Sequence, residues 1–264
     1  MGKVWTFPID LCSLICHNKK RQNSQGELFT DCEGEMIIRM VFFDLGDTLV
    51  AIRPDVYADL AQEISLTNGR VVGLSDLERA IKDEWVSRNG EYIGWVTTKE
   101  SEDCYWQGFY GDVLQRLNVD AAPPFLLDLL SQKAADPRSF TCFDDVVGVL
   151  EALRQKGIGI GLISNAFPSA RHILDYLDLT HWFEPLVLSY EHPDTKPKPA
   201  LDIYKYALRC AGILPRQALF VDDRPKFVKG AKTAGMEARL LDRENSYRNE
   251  QNRVLGLGEL LEML

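Results

Sequence analysis

From Asp136-Pro137 to the C-terminus, short apolar runs alternate with helical patterns, and this restricts the fold more than any other feature of the 264-residue chain. Strands are predicted over Ile158–Ile163, Pro185–Leu188, Ala218–Val221 and Glu237–Leu241. Helices are predicted over Asp145–Lys156, Pro168–Leu177, Ala200–Ala211 and Phe227–Ala234, with a last turn or two over Gly258–Leu264. Well upstream, Met40-Val-Phe-Phe-Asp44 reads as one more buried parallel strand. Strands and helices alternating at this spacing build βαβ units. The expected class is therefore α/β, with a three-layer Rossmann-like parallel-sheet core. Right-handed crossovers then bring the C-terminal ends of the strands to one edge, where such folds bind ligands.

The stretch between the first strand and the rest has a different texture. From Pro54 to about Lys133 the patterns are helical, with few strand signals. Ser75-Asp-Leu-Glu78 has the form of a capping box ahead of a helix running to Trp85, and Lys99–Leu117 and Pro124–Ala134 also read as helices. Tyr105, Trp106, Phe109 and Tyr110 form an aromatic stripe that reads as helix-packing core, with a substrate-facing surface as the alternative. The division expected is an irregular N-terminal leader over 1–39, an all-helical insertion over 55–134, and a core assembled from 40–54 and 135–264.

Charge narrows the function classes. Thirty basic and 39 acidic residues leave a net charge of −9, which argues against a nucleic-acid partner held through phosphate neutralisation. Residues 55–134 hold 14 acidic and 7 basic side chains, so most of the excess lies in the insertion. An insertion that acidic favours a small or partly cationic partner over a polyanion. No apolar run is long enough for a transmembrane helix, so no membrane partner is expected. The opening segment lacks an A-x-A-like cleavage site, so no signal peptide is expected. Six scattered cysteines form no disulfide framework, and Cys12-x3-Cys16-His17 has no second pair to complete a metal site. Reduced thiols fit a cytoplasmic protein. The sequence leaves the oligomeric state open.

Three of the strands finish on polar residues: Asp44, Ser164-Asn165 and Asp222-Asp223, while Lys196 and Lys198 lie in the loop after a fourth. Carboxylates, a hydroxyl and a lysine converging on one crevice suit a phosphoryl group on a hard divalent cation. Carboxylate oxygens hold Mg²⁺, while Lys and Ser neutralise and orient the oxygens of the transferring group. His172, His181 and His192 show no metal-ligand spacing and need no catalytic role.

These segments resemble, in order, the four motifs of the haloacid dehalogenase superfamily, over about Met40 to Leu241. Phe43-Asp44-Leu45-Gly46-Asp47-Thr48-Leu49 is similar to its D-x-D-G-T-L motif, and Leu162-Ile163-Ser164-Asn165 to its strand ending in Ser or Thr. Lys198-Pro199, or Lys196-Pro197 in an alternative register, resembles its lysine motif. Val221-Asp222-Asp223 with Gly230-Ala231-Lys232-Thr233-Ala234-Gly235-Met236 resembles the fourth. A helical block after the first motif is what the family calls a C1 cap. The resemblance implies a Mg²⁺-dependent phosphatase-like hydrolase acting on a small phosphorylated molecule. Asp44 would be the nucleophile that becomes an aspartyl-phosphate, and Asp47, Ser164 and Lys198 or Lys196 would be its catalytic partners. Thr48, Ser164, Asn165 and Lys198 would contact substrate, and Asp44, Gly46, Asp222 and Asp223 would form the metal site.

Two positions depart from the family pattern. The family's phosphatases usually carry a second Asp, a general acid and base, two residues after the nucleophile; here that place is Gly46, and Asp47 follows it. Gly46 tolerates unusual dihedrals and is the residue expected to re-aim Asp47. Phe227 stands where Asp or Asn often supplies a further polar contact. Both departures keep a catalytically impaired binding or regulatory protein as an alternative. A haloacid dehalogenase is a further one, although its usual Tyr is absent at Gly46.

Overall fold

The computed structural model describes residues 19–22, 28–31, 37–88, 94–119 and 123–264. Contacts divide the chain into two units, Met1–Ile37 and Ile38–Leu264. In the first, β1 (Lys19–Gln22) and β2 (Leu28–Asp31) pair antiparallel, with Lys19 opposite Asp31 and Gln22 opposite Leu28. These eight residues of the expected leader pair because two short extended segments close in sequence need only complementary backbones to do so. Cys12, Cys16 and His17 lie outside the described residues.

In the second unit, six parallel strands form one sheet in the order β10-β9-β8-β3-β6-β7. These are β3 (Met40–Phe43), β6 (Gly159–Ser164), β7 (Leu186–Leu188), β8 (Ala218–Asp222), β9 (Glu237–Leu241) and β10 (Arg253–Val254). The short strand β10 has too little apolar pattern to be read from sequence. The central strand β3 is fully buried because all four of its residues are apolar, and it pairs Phe43 with Leu162 on one side and Val221 on the other. The crossovers are α5 (Val146–Gln155), α6 (Ser169–Tyr176), α7 (Leu201–Ala211) and α8 (Pro225–Thr233). Two apolar clusters fill the faces of the sheet, one around Val41, Phe43, Leu162 and Val221, the other around Phe42, Ile163, Tyr204 and Phe220. This is the three-layer α/β architecture that the alternation predicts.

Between β4 (Val50–Ile52) and β5 (Phe140–Cys142) the described residues form four α-helices: α1 (Pro54–Asn68), α2 (Leu74–Ser87), α3 (Lys99–Arg116) and α4 (Pro124–Ala135). They enclose a third apolar cluster of their own, including Leu60, Ile64, Leu77, Phe109 and Leu130. Strands β4 and β5 pair antiparallel, Val50 against Cys142 and Ile52 against Phe140, so the block leaves and rejoins the core at one place. The capping box predicted at Ser75–Glu78 does not form: α2 begins at Leu74 behind an extended Gly73, which leaves Ser75 inside the first turn. A capping box occurs instead at the start of α3, where Thr98 and Ser101 exchange side-chain and backbone hydrogen bonds. Among the described residues, no helix is long and apolar enough to cross a membrane, and Cys104, Cys142 and Cys210 are free.

Candidate active site

Parallel register places the polar strand ends together. Asp44 follows β3 and continues its ladder, its N–H donating to Val221 O at 2.9 Å, while β6 ends on Ser164 and β8 on Asp222. Lys198 arrives from the loop between β7 and α7. Its Nζ donates to Asp44 Oδ1 and to Asp222 Oδ2, each at 2.6 Å, and its side chain is completely buried. Burial opposes the ammonium, but Asp222 and Asp44 outweigh it and hold the Lys198 pKa above the ordinary lysine value. The two predicted registers therefore separate in space: Lys198 is the lysine against Asp44, and Lys196 lies exposed on the cavity wall.

The two adjacent aspartates differ as sharply. Asp222 is the last residue of β8 and faces inward. Its Oδ2 accepts from Lys198 and its Oδ1 from Arg224 N at 2.8 Å, and it does not line the cavity. Asp223, one residue on and just past the end of β8, lines the cavity beside Asp44. Burial pushes the Asp223 carboxyl up to about 9, reinforced by Asp222, Asp44 and Asp47 and opposed by Arg224. Asp222 is pushed up to about 6 by burial, with Lys198 opposing and Asp44 adding to the shift. Among the described residues, Asp44, Asp222 and Asp223 bring one carboxylate oxygen each within 4.8 Å of one another. Three carboxylates against one lysine, in a site that penalises unbalanced negative charge, form a donor set suited to a hard cation such as Mg²⁺. Since both Asp222 oxygens are already engaged, Asp44 and Asp223 are the two with oxygens turned to the cavity.

Several expected substrate contacts have other occupations. Asn165 lines the cavity, but its amide brackets the Lys198 backbone: Nδ2 donates to Lys198 O and Oδ1 accepts from Lys198 N, both at 2.8 Å. It is a positioning residue for the lysine. Thr48 is fully buried and does not line the cavity, and its backbone carbonyl accepts from Arg243 Nη2 at 3.0 Å. The cause is the tight turn after Asp44, in which Leu49 N and Val50 N donate to Leu45 O and turn residue 48 inward. Ser164 is buried at the cavity wall as the strand pattern predicts.

The re-aimed backbone in this turn is at Asp47, with φ 56°, and not at Gly46. Asp is among the few residues that tolerate the left-handed region. Gly46 and Asp47 are solvent-accessible, and both line the cavity with Asp44. Desolvation within the concave site raises the Asp47 pKa, with Arg224 lowering it and Asp44 and Glu244 adding to the rise. Phe227, where a polar contact was expected, packs its ring centroid 4.7 Å from Lys198 Nζ, a cation–π contact that helps to enclose the lysine.

The cavity has a volume of about 760 Å³. Besides the groups above, Trp85, Arg88, Arg224 and Lys226 line it, none of which carries a motif signal in the sequence. Among the described residues, no acidic residue of 55–134 lines it. Of the insertion's 14 acidic residues, Glu84 is buried against Arg88 and Arg116, and Glu102 is buried against α6. Glu102 accepts from Ser169 N at 3.0 Å, Ser169 Oγ at 2.5 Å and Trp106 Nε1 at 3.3 Å, and so ties the helical block to the core beside the cavity. His172, His181 and His192 do not line it.

A family model described as a haloacid dehalogenase-like hydrolase matches residues 38–235. The chain belongs to this family. Among the relatives of this hydrolase is a phosphoserine phosphatase of Thermus thermophilus, 31% identical over 229 residues that cover 78% of this chain and 89% of the relative. Solved structures with the same fold include an L-2-haloacid dehalogenase (TM-score 0.65, 21% identity, covering 86% of this chain and 98% of the other). Another is a haloacid dehalogenase-type hydrolase of Bacillus subtilis bound to magnesium (TM-score 0.63, 16% identity, covering 86% and 99%).

Proposed function

We propose that this hydrolase cleaves phosphate monoesters of small molecules through a phosphorylated Asp44. The observation that carries this reading is Lys198 Nζ at 2.6 Å from both Asp44 Oδ1 and Asp222 Oδ2, with Asp223 on the open side of the pair. Lys198 fixes one oxygen of Asp44, which leaves the other to attack phosphorus. The Asp44–phosphorus bond forms as the bond to the leaving oxygen breaks, and water then attacks the same phosphorus to release phosphate and regenerate Asp44. Ser164 and Lys198 bind the oxygens of the transferring group. Asp47, with its raised pKa, is the proton carrier nearest in the chain to the nucleophile. Asp44 and Asp223, together with the backbone of Gly46, would hold Mg²⁺, which when bound supplies charge neutralisation for the phosphoryl oxygens.

A panel of phosphate esters assayed with and without Mg²⁺ tests the proposal. Wild type should turn over in a Mg²⁺-dependent way, and Asp44→Asn should lose turnover on the order of 10⁴-fold or more. Equal residual activity in the two proteins would overturn it. A protein that binds phosphate esters without cleaving them is the second reading, favoured by Gly46 in the place of the usual acid. Mg²⁺-dependent binding without turnover by the wild type would establish that alternative.

A further inference from the structure

The cavity is far larger than a phosphoryl group requires. Its volume of about 760 Å³ falls in the range of about 300–1,000 Å³ typical of pockets that enclose drug-sized ligands. Beyond the carboxylate and lysine end, its wall is aromatic. Tyr57, Trp85, Tyr105 and Trp106 come from the helical block, and Phe167 and Phe227 from the core. Phe167 lies 4.8 Å, centroid to centroid, from both Tyr105 and Trp106, and Trp85 stands edge-on to Trp106 at 5.9 Å. Trp85 and Phe227 approach each other across Arg224, whose Cζ is 5.8 Å from one ring and 5.9 Å from the other. The stripe predicted on α3 therefore divides: Tyr105 and Trp106 reach the cavity, while Phe109 and Tyr110 remain in the packing core.

Two of the polar groups on this wall are already engaged. Arg88 pairs with Glu84 and Asp112, and Trp106 Nε1 donates to Glu102. Against the rings themselves a small charged leaving group gains no hydrogen bond and loses hydration. A planar aromatic group would bury its faces against the rings and lose nothing polar. We propose that this wall is the leaving-group subsite and that it selects phosphate monoesters whose leaving group carries an aromatic ring. The assignment of a leaving group rests on the phosphatase reading; recognition of the ring does not.

The test holds leaving-group reactivity constant by comparing alkyl esters: 2-phenylethyl phosphate, 2-cyclohexylethyl phosphate and ethyl phosphate, with the full chain and Mg²⁺. A parallel binding arm uses 2-phenylethylphosphonate, 2-cyclohexylethylphosphonate and ethylphosphonate, measured by calorimetry. The phenyl compounds should exceed the ethyl compounds by about ten-fold in kcat/KM and in affinity, and should also exceed the cyclohexyl compounds. Trp85→Ala should shrink the phenyl-to-ethyl ratio to about two-fold, and Trp85→Phe should restore most of it. That rescue separates loss of a ring from loss of fold. Phenyl and ethyl compounds within about two-fold of each other in both arms would overturn the proposal. Equal preference for cyclohexyl would overturn it in favour of a merely apolar subsite. Selective binding of the phenylphosphonate without hydrolysis of any ester would keep the aromatic site and defeat the phosphatase reading. Hydrolysis of all three esters at similar efficiency, with no selectivity in binding, would do the reverse.

Discussion

The core and the helical block build one cavity by opposite means. The core contributes charged groups set at strand ends, each fixed by hydrogen bonds to backbone or to an opposite charge, as Lys198 is by Asp44, Asp222 and Asn165. The block contributes rings fixed by packing, and Arg88, the one charged residue of the block on the cavity wall among the described residues, is paired with Glu84 and Asp112. Chemistry thus resides in one region and shape in the other. A change in the core should alter the reaction itself, whereas a change in the block should alter what the cavity accepts and how firmly the two regions hold together.

The largest effect is expected at the charge cluster. Lys198→Met leaves Asp44 and Asp222 buried without their cation, and turnover should fall by at least about 10³-fold. Stability should also fall, by roughly 3–5 kcal/mol, because the partners of a broken buried pair keep their desolvation cost. Denaturant unfolding without added metal reads the second effect; an unchanged midpoint would show that the cluster carries no structural weight. Gly46→Asp is expected to act in the opposite direction. The glycine is not left-handed, and a Cβ built there meets nothing within 4 Å, so the side chain fits without strain. Turnover of esters with poor leaving groups should rise by about ten- to a hundred-fold as a second proton carrier enters the cavity. No gain would mean that Asp47 already performs that transfer.

At the junction of the two regions, Glu102→Gln replaces an oxygen that accepts from Ser169 with an amide nitrogen that cannot. A loss of about 1–3 kcal/mol is expected in thermal or denaturant unfolding, with a far smaller loss for an exposed acid of the same block such as Asp83→Asn. The smallest effect belongs to the Asp145–Arg243 pair. Burial would raise the Asp145 pKa, but two hydrogen bonds from Arg243 and one from Leu257 N–H outweigh it and hold the carboxyl below its ordinary value. Its contribution is therefore complete above the ordinary carboxylate range and is lost as pH falls through the lowered value. Arg243→Met should flatten the decline in stability below about pH 4 while costing less than the substitutions above.

The sequence made the core legible and the block only partly so, for physical reasons. A parallel strand buried on both faces leaves a continuous apolar signature, as in Met40–Phe43 and Ala218–Val221, and the polar residue that ends each one follows directly. What depends on distant chain does not leave such a mark. The choice of Lys198 over Lys196 is made by Asn165, 33 residues earlier, and by the path of the loop. Asp222 and Asp223 lose their expected equivalence because Lys198 and the Arg224 N–H occupy both oxygens of Asp222, whereas Asp223 lines the cavity. Thr48 is taken inward by a turn whose left-handed residue is Asp47. The pairing of β4 with β5 joins three residues to three others about ninety positions away, and neither segment carries a strong strand pattern. In the block, helix existence was readable from periodicity, but which rings of α3 face the cavity depends on how the four helices meet the core.

The ladder between β4 and β5 has a consequence for the chain's entropy. A loop of this length closed at random would lose conformational freedom that grows with the logarithm of its length. Here the ends are brought to strand spacing by backbone hydrogen bonds that belong to the core side of the junction, so the closure is largely independent of what lies between them. The intervening helices can therefore lengthen, shorten or exchange their rings at little cost to the turn that carries Asp44. A short turn replacing residues 53–139 would be the minimal substitute.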